Sequence, residues 1–257
     1  MGIVNVTPDS FSDGGLYLDP DAAIRHGEDL VKAGAAILDV GGESTRPGAE
    51  EVGEAVELRR VVPVIEGLVG VGAEISVDTS KAAVAAAALD AGASIVNDVT
   101  ALRGDPEMAA LCAERDVTVV LMHMVGSPRT MQENPVYDDV VDDVKRFLVA
   151  RVEAALAAGI AAERIWLDPG IGFGKTVEHN LELLRRLGEL QELGRPLVVG
   201  TSRKSFIGKV DGSPAGRRLG GTVASSVLAA ATGAEVLRVH DVAEMGQALA
   251  VVEAILG

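Results

Sequence analysis

The sequence predicts an α/β protein, a single (β/α)8 TIM barrel over 1–257, and three observations carry this. Short apolar runs of β type alternate with helical patterns about eight times, which implies a parallel sheet covered by helices. Eight such units in 257 residues suit a closed barrel better than an open doubly wound sheet. No Pro-, Gly- or Ser-rich linker interrupts the series, which leaves one domain.

The elements follow in order. Residues 3–6 make the first strand. Asp19 then caps a helix over about 19–33, with Pro20 at its first position, where a missing N–H costs nothing. Gly34 ends it, 36–40 is the second strand, and a helix follows near 50–69. The third strand is 74–78, with Ser80 capping an Ala-rich helix to about 91. Residues 94–97 form the fourth strand, before a helix near 106–114, and 117–123 form the fifth. A long polar loop then leads to a helix over 136–158, ended by Gly159. The sixth strand is 164–168 with a helix near 177–190, and the seventh is 196–200 with a helix from about Phe206. A helix over 222–232 precedes the eighth strand, 236–240, and Asp241 begins the last helix.

Composition narrows the function. The chain is 48% hydrophobic but 3% aromatic, so its core is built from Ala, Val, Leu and Ile. A net charge of −15 argues against nucleic acid or an anionic membrane as partner. A small anionic substrate would need locally clustered basic groups. Cys112 is the sole cysteine, so no intrachain disulfide and no Cys-based metal site is expected. No leader-like segment opens the chain and no apolar run approaches about 18 residues, so the expectation is a soluble cytoplasmic protein.

The first connection, Asn5-Val6-Thr7-Pro8-Asp9-Ser10-Phe11-Ser12-Asp13-Gly14-Gly15, is far longer than the about 2–6 residues usual between strand and helix. It marks the end of the strands where barrel enzymes keep their chemistry. Taken in order, those ends carry Asn5, Asp39, Asp78, Asn97, His123, Asp168, then Lys204, Arg238 and His240. Any one Asp or Asn there could simply cap the next helix; jointly they imply a site.

Asp78, Asn97, Asp168 and Lys204 offer acceptors and donors to a planar heterocycle bearing amidine and amide groups. Arg238 and His240, alternate residues on one strand, point the same way and with Asn5 form a patch suited to phosphate. The competing account of Arg238 is an ion pair with a strand-end Asp. Gly41-Gly42 lets the chain turn sharply into a second polar loop, and Ser205 lies at a helix start, where free N–H groups favour a carboxylate or phosphate. Gly170-Ile171-Gly172-Phe173-Gly174 lacks the dinucleotide spacing. Met122-His123-Met124 lines a flat slot or fills core, and Trp166 is core or barrel exterior. Cys112 is read as inert.

These motifs resemble the dihydropteroate synthase family over essentially the whole chain. They are the first-connection run above, Asp39-Val40-Gly41-Gly42-Glu43-Ser44-Thr45-Arg46-Pro47-Gly48, Ser76-Val77-Asp78-Thr79, Val96-Asn97-Asp98-Val99, Leu167-Asp168-Pro169-Gly170-Ile171-Gly172-Phe173, Ser202-Arg203-Lys204-Ser205 and Arg238-Val239-His240-Asp241. The resemblance implies condensation of 6-hydroxymethyl-7,8-dihydropterin diphosphate with 4-aminobenzoate, releasing diphosphate, with Mg²⁺. It implies that Asp78, Asn97, Asp168 and Lys204 hold the pterin, with Met122 and Phe173 along its ring. Asn5, Arg238 and His240 would hold the diphosphate, Asn5 also meeting Mg²⁺. Phe11, Thr45, Arg46, Pro47 and Ser205 would frame the aminobenzoate, and Asp13 would help close the site.

By the same likeness a homodimer packed through barrel helices is expected. Family members usually carry a segment before the first strand that closes the barrel floor, whereas Met1 nearly opens the strand here; the expectation is an effect on stability and none on the site. The expected mechanism is dissociative, with loops 5–15 and 41–48 closing over a methylene cation. Rival readings are a pterin-binding barrel for methyl transfer, a Schiff-base aldolase using Lys204, and a silent folate-pathway binding module.

Overall fold

The computed structural model describes residues 1–7, 19–45, 48–49, 51–126 and 130–257. Strands and helices alternate as β1 (Gly2–Asn5), α1 (Pro20–Lys32), β2 (Ile37–Gly41), α2 (Glu54–Leu68), β3 (Glu74–Asp78), α3 (Ala82–Asp90), β4 (Ile95–Asp98) and α4 (Met108–Arg115). They continue as β5 (Thr118–Met122), α5 (Val140–Ala157), β6 (Ile165–Asp168), α6 (Val177–Arg185), β7 (Val198–Val199), α7 (Ser205–Asp211), α8 (Leu219–Ala231), β8 (Val236–Leu237) and α9 (Val242–Leu256).

Strands β1 to β6 pair in sequence order, all parallel, and β7 pairs with β8. Two single bridges close the ring. Leu167 meets Leu197 between β6 and β7, and Gly2 meets Val239 beyond β8. There Ile3 N donates to Val239 O and Val239 N to Met1 O, both at 3.0 Å. The expected (β/α)8 barrel is what the chain forms, with the seventh and eighth strands regular over only two residues each.

Strand parity sorts the side chains into two environments. Leu38, Val40, Ile75, Val77, Val96, Val119, Leu121, Ile165 and Leu167 point outward into the main apolar core beneath the helices. Ile37, Ile95, Val120 and Val198 point inward and make a small plug, with Trp166 and Val236 packed on it. Trp166 is therefore barrel interior. Above that plug the inward positions turn polar, and the site begins there.

Several boundaries differ from the sequence reading for local reasons. Ser80 does not cap α3: Lys81 holds the cap position, and Asp105 from the following connection accepts the Ala82 N–H at 2.9 Å. Helix α5 starts at Val140 because the Asp139 carboxylate accepts from the N–H groups of Val141 and Asp142. Helix α6 stops at Arg185, and Leu187–Leu193 continue as a 3-10 turn that buries Leu187 and Leu190. Asp19 caps α1 as expected, accepting from Asp21 N.

Candidate active site

At the centre of the barrel mouth lies Asp39, fully buried and fully partnered. Ser76 Oγ donates to Oδ1 at 2.6 Å, while Asn97 Nδ2 at 3.1 Å and Arg238 Nε at 2.6 Å donate to Oδ2. Register explains the convergence, since Asp39 lies beside Ser76, and Asp78 beside Asn97, on neighbouring strands. Arg238 also donates through Nη2 to Asp78 Oδ2 at 2.8 Å. One guanidinium thus bridges two carboxylates from two strands, so the ion-pair account of Arg238 is the geometry found here.

Charge balance sets the behaviour of these groups. Burial pushes the Asp78 carboxyl up to about 7, against the lowering effect of Arg238, and the neighbouring Asp39 adds to the rise. Burial also raises Asp168, which Lys204 partly offsets. Lys204 itself is pulled down to about 8, again chiefly by burial. Burial alone would lower Arg238; its two carboxylates more than compensate and hold it charged.

The opposite wall is the turn after β6. Gly170 N donates to Asp168 Oδ1 at 2.7 Å, and Gly172 N to Asn180 Oδ1 at 2.6 Å. Lys175, itself buried, donates to the carbonyls of Gly170 at 2.9 Å and Phe173 at 3.0 Å and contacts His123 Nδ1 at 2.9 Å. These bonds hold the turn together, and it presents Phe173 with Lys204 Nζ 4.2 Å from its ring centroid, a cation–π distance. Lys204 Nζ also donates to Ile171 O. Burial places the Lys175 ammonium well below its ordinary range. Gly172 has φ +83°, and a Cβ there would sit 2.8 Å from Lys204 Cδ.

Between these walls is a cavity of ≈ 440 Å³. Of the expected site residues, Asn5, Thr45, Asp78, Phe173, Lys204, Ser205, Arg238 and His240 line it. Asn97, Met122 and Asp168 are not in that lining. Asn97 is buried against Asp39, and Asp168 is buried where its charge reaches Lys204 and Arg238. Met122 belongs to an apolar cluster with Val99, Met124 and Met131, on which Phe173 packs. Phe11, Asp13, Arg46 and Pro47 lie outside the described residues, as do residues 8–15 of the first expected closing loop and 46–47 of the second.

His123 does not join the mouth. It follows inward-facing Met122, so parity turns it outward, where its ring meets Phe147 edge-on at 4.8 Å and Lys175. Burial, then Lys175, draws its pKa down to about 2. Gly41-Gly42 shows no positive φ. Gly42 is needed for contact, since a Cβ there would lie 2.8 Å from Val61 Cγ1.

The cavity wall also holds residues that the strand-end pattern does not mark. Glu43, Met131, Ser202, Arg203 and Arg218 all border the cavity. Ser202 Oγ meets His240 Nδ1 at 2.9 Å and orients that imidazole. Arg203 adopts φ +57° and grips Asp241 through two nitrogens, Nε at 3.0 Å and Nη2 at 2.5 Å. Both fall in a motif already singled out; Arg218 carried no local signal. A wider, open depression of ≈ 690 Å³ between α6 and α8 holds no convergent chemistry, its Arg186 being engaged by Asp139 and Glu189.

A parallel barrel whose mouth joins carboxylates, an amide, a lysine and an aromatic face to an Arg–His wall is the architecture of a pterin-binding enzyme. Residues 1–240 match the family of pterin binding enzymes. The dihydropteroate synthase of Escherichia coli (strain K12) is 49% identical over 257 residues, covering 100% of this chain and 91% of that protein. The solved Yersinia pestis dihydropteroate synthase with a sulfonamide drug superposes with a TM-score of 0.97 at 49% identity, covering 99% of this chain and 93% of that one. The Xanthomonas albilineans dihydropteroate synthase in complex with 7,8-dihydropteroate gives 0.89 at 48%, covering 100% and 93%. The chain belongs to the dihydropteroate synthases.

Proposed function

We propose that this site condenses 6-hydroxymethyl-7,8-dihydropterin diphosphate with 4-aminobenzoate, giving 7,8-dihydropteroate and diphosphate, by a dissociative route. The observation that carries the reading is the single cavity in which Asp78, Lys204 and Phe173 face Arg238, His240 and Asn5. In this assignment Asp78, Asn97, Asp168 and Lys204 read the polar edges of the pterin, and Phe173, backed by Met122, lies along its face. Asp39 already takes the Asn97 amide N–H, leaving the amide oxygen for the ring.

Arg238 spends Nε and one Nη2 proton on the carboxylates. Its remaining N–H groups and His240 then meet the diphosphate. The bond between the methylene carbon and oxygen breaks with its electron pair leaving on diphosphate, whose growing charge Arg238 stabilises. The methylene cation is delocalised into the pterin, beside Asp78 and Asp168. The neutral aniline nitrogen attacks that carbon and then loses a proton to solvent. Thr45 and Ser205 frame the aminobenzoate, with Arg218 on the same cavity wall.

Among the described residues no group of three His, Cys, Asp or Glu side chains is placed to hold a metal. Asn5 offers one amide oxygen. That donor set fits Mg²⁺, which keeps its waters and takes the rest of its shell from substrate phosphate. Bound there, it would supply charge neutralisation on the departing diphosphate. We further propose one domain over 1–257 and a homodimer, on family likeness. No described helix is long and apolar enough to cross a membrane.

The test is to supply both substrates with Mg²⁺ and follow dihydropteroate and diphosphate. Folded protein that releases neither refutes the reading. Hydrolysis of the pterin diphosphate in ¹⁸O-water, without aminobenzoate, tests which bond breaks: label in the hydroxymethyl group is expected, and label confined to phosphate refutes carbon–oxygen cleavage.

A further inference from the structure

The connection from β2 to α2 supplies Glu43, Ser44 and Thr45 to the cavity, and its base is tied down by charged groups that the reaction does not use. Glu43 is anchored twice. Its Oε1 accepts from Val52 N at 3.0 Å, drawing the two ends of the connection together, and its Oε2 accepts from Lys81 Nζ. Lys81 comes from the next connection, three residues beyond Asp78. Its ammonium also donates to Glu57 Oε2 at 2.7 Å, on the first turn of α2, where the Glu57 side chain is fully buried. Beside it, Arg60 Nη1 donates to Gly42 O at 2.7 Å.

Such an arrangement is costly. Two carboxylates share one ammonium, all three side chains are at most 19% exposed, and Glu57 Oε1 has no partner. Buried ion pairs return little net stability against apolar replacements, so they are weak evidence of a stabilising role. The groups they join are informative. One end holds the residue two before Thr45, and the other leaves the strand that presents Asp78. Glu43 itself lines the cavity, so a shift of the bridge changes where Thr45 stands relative to Asp78.

We propose that Glu43 and Lys81 are positioning residues for 4-aminobenzoate: their bridge, seated on Glu57, fixes the β2–α2 connection against the Asp78 strand end and so sets where Thr45 meets the second substrate. This rests on the function proposed above. Lys81→Met would strip Glu57 of its cation and risk the fold, so the decisive variant is Glu43→Gln. That variant keeps the shape and an acceptor for Val52 N but removes the charge facing Lys81.

In Glu43→Gln the KM for aminobenzoate is expected to rise about 10- to 100-fold, the range a displaced positioning group produces. The KM for the pterin diphosphate should stay within about twofold, since uniform damage would move both. Lys81→Arg, which can bridge both carboxylates, should remain near wild type for both substrates. An unchanged aminobenzoate KM in Glu43→Gln, or equal rises in both KM values, overturns the inference while an active wild type leaves the function standing. A wild type that makes no dihydropteroate overturns the function and this inference together.

Discussion

Asp78→Asn should separate what this carboxylate does for the reaction from what it does to the fold, because the two effects have opposite signs. Asp39 and Asp78 both face Arg238, leaving one negative charge in excess inside the barrel mouth. Burial, with Asp39 adding to it against the lowering effect of Arg238, holds the Asp78 carboxyl at about 7, against an ordinary value of 3.8. A carboxyl raised in the folded state binds its proton more tightly there than in the unfolded chain. Its contribution is therefore most favourable below pH ~4, falls as pH rises toward 7, and is flat above.

Asparagine keeps the size and an acceptor for Arg238 Nη2 but has nothing to ionise. The variant should be about 1 kcal/mol less stable than wild type at pH 4, and the difference should swing in the variant's favour to pH 8. Each pH unit between the two pKa values is worth about 1.4 kcal/mol, and an unpartnered amide N–H returns about 1 kcal/mol or more. A gain of about 1–3 kcal/mol at pH 8 is expected, roughly 2–10 °C in Tm for a chain of this size.

Activity should move the other way. A charge-assisted bond to the pterin becomes a neutral one, and kcat/KM for the pterin diphosphate should drop about 10- to 100-fold. Thermal melts at pH 4, 6 and 8, beside steady-state kinetics, read both. A variant less stable than wild type at pH 8, or a stability difference that does not change with pH, refutes the reasoning about the excess charge.

Two further outcomes follow from packing. Gly170 has φ +68° and a Cβ there would fall 1.9 Å from His123 O, so Gly170→Ala should cost about 3 kcal/mol or more in urea unfolding and disturb Phe173 with it. Cys112 is buried and its thiol is pushed up to about 12, first by burial. A thiol reagent should label it only at the rate of unfolding, and fast labelling of folded protein at pH 8 would contradict that placement.

Much of this architecture was legible because barrel strands obey a period of two. Asp39, Asn97, Asp168 and Arg238 sit at inward positions on separate strands, and the eight-fold alternation alone brings those positions to one mouth. The same rule, applied residue by residue, would have turned His123 and Asp98 outward: His123 packs on Phe147 and Lys175, and Asp98 accepts from Thr100 and Leu102 N–H groups. An ion pair of Arg238 with a strand-end Asp could be anticipated, but no local pattern says which carboxylates it meets across the barrel. Arg238 reaches carboxylates 199 and 160 residues away. Lys175 carries no local signal of burial after its glycine turn, yet the closed turn buries it on its own carbonyls. Arg218 enters the cavity wall from a connection with no motif at all.

That cross-barrel pairing also decides which substitution of Arg238 is informative. Its guanidinium meets Asp39 through Nε at 2.6 Å and Asp78 through Nη2 at 2.8 Å, using separate edges of one planar group. A lysine carries the same charge on a single nitrogen and cannot reproduce that fork. If charge alone served the diphosphate, Arg238→Lys should retain most turnover while Arg238→Leu loses about 100-fold or more. If the fork is what keeps donors aimed at the diphosphate while both carboxylates stay satisfied, Lys should fall close to Leu. The geometry favours the second outcome: expected kcat for Arg238→Lys lies within about tenfold of Arg238→Leu. Near-wild-type kcat in Arg238→Lys would show that the bridge to Asp39 and Asp78 is incidental to catalysis.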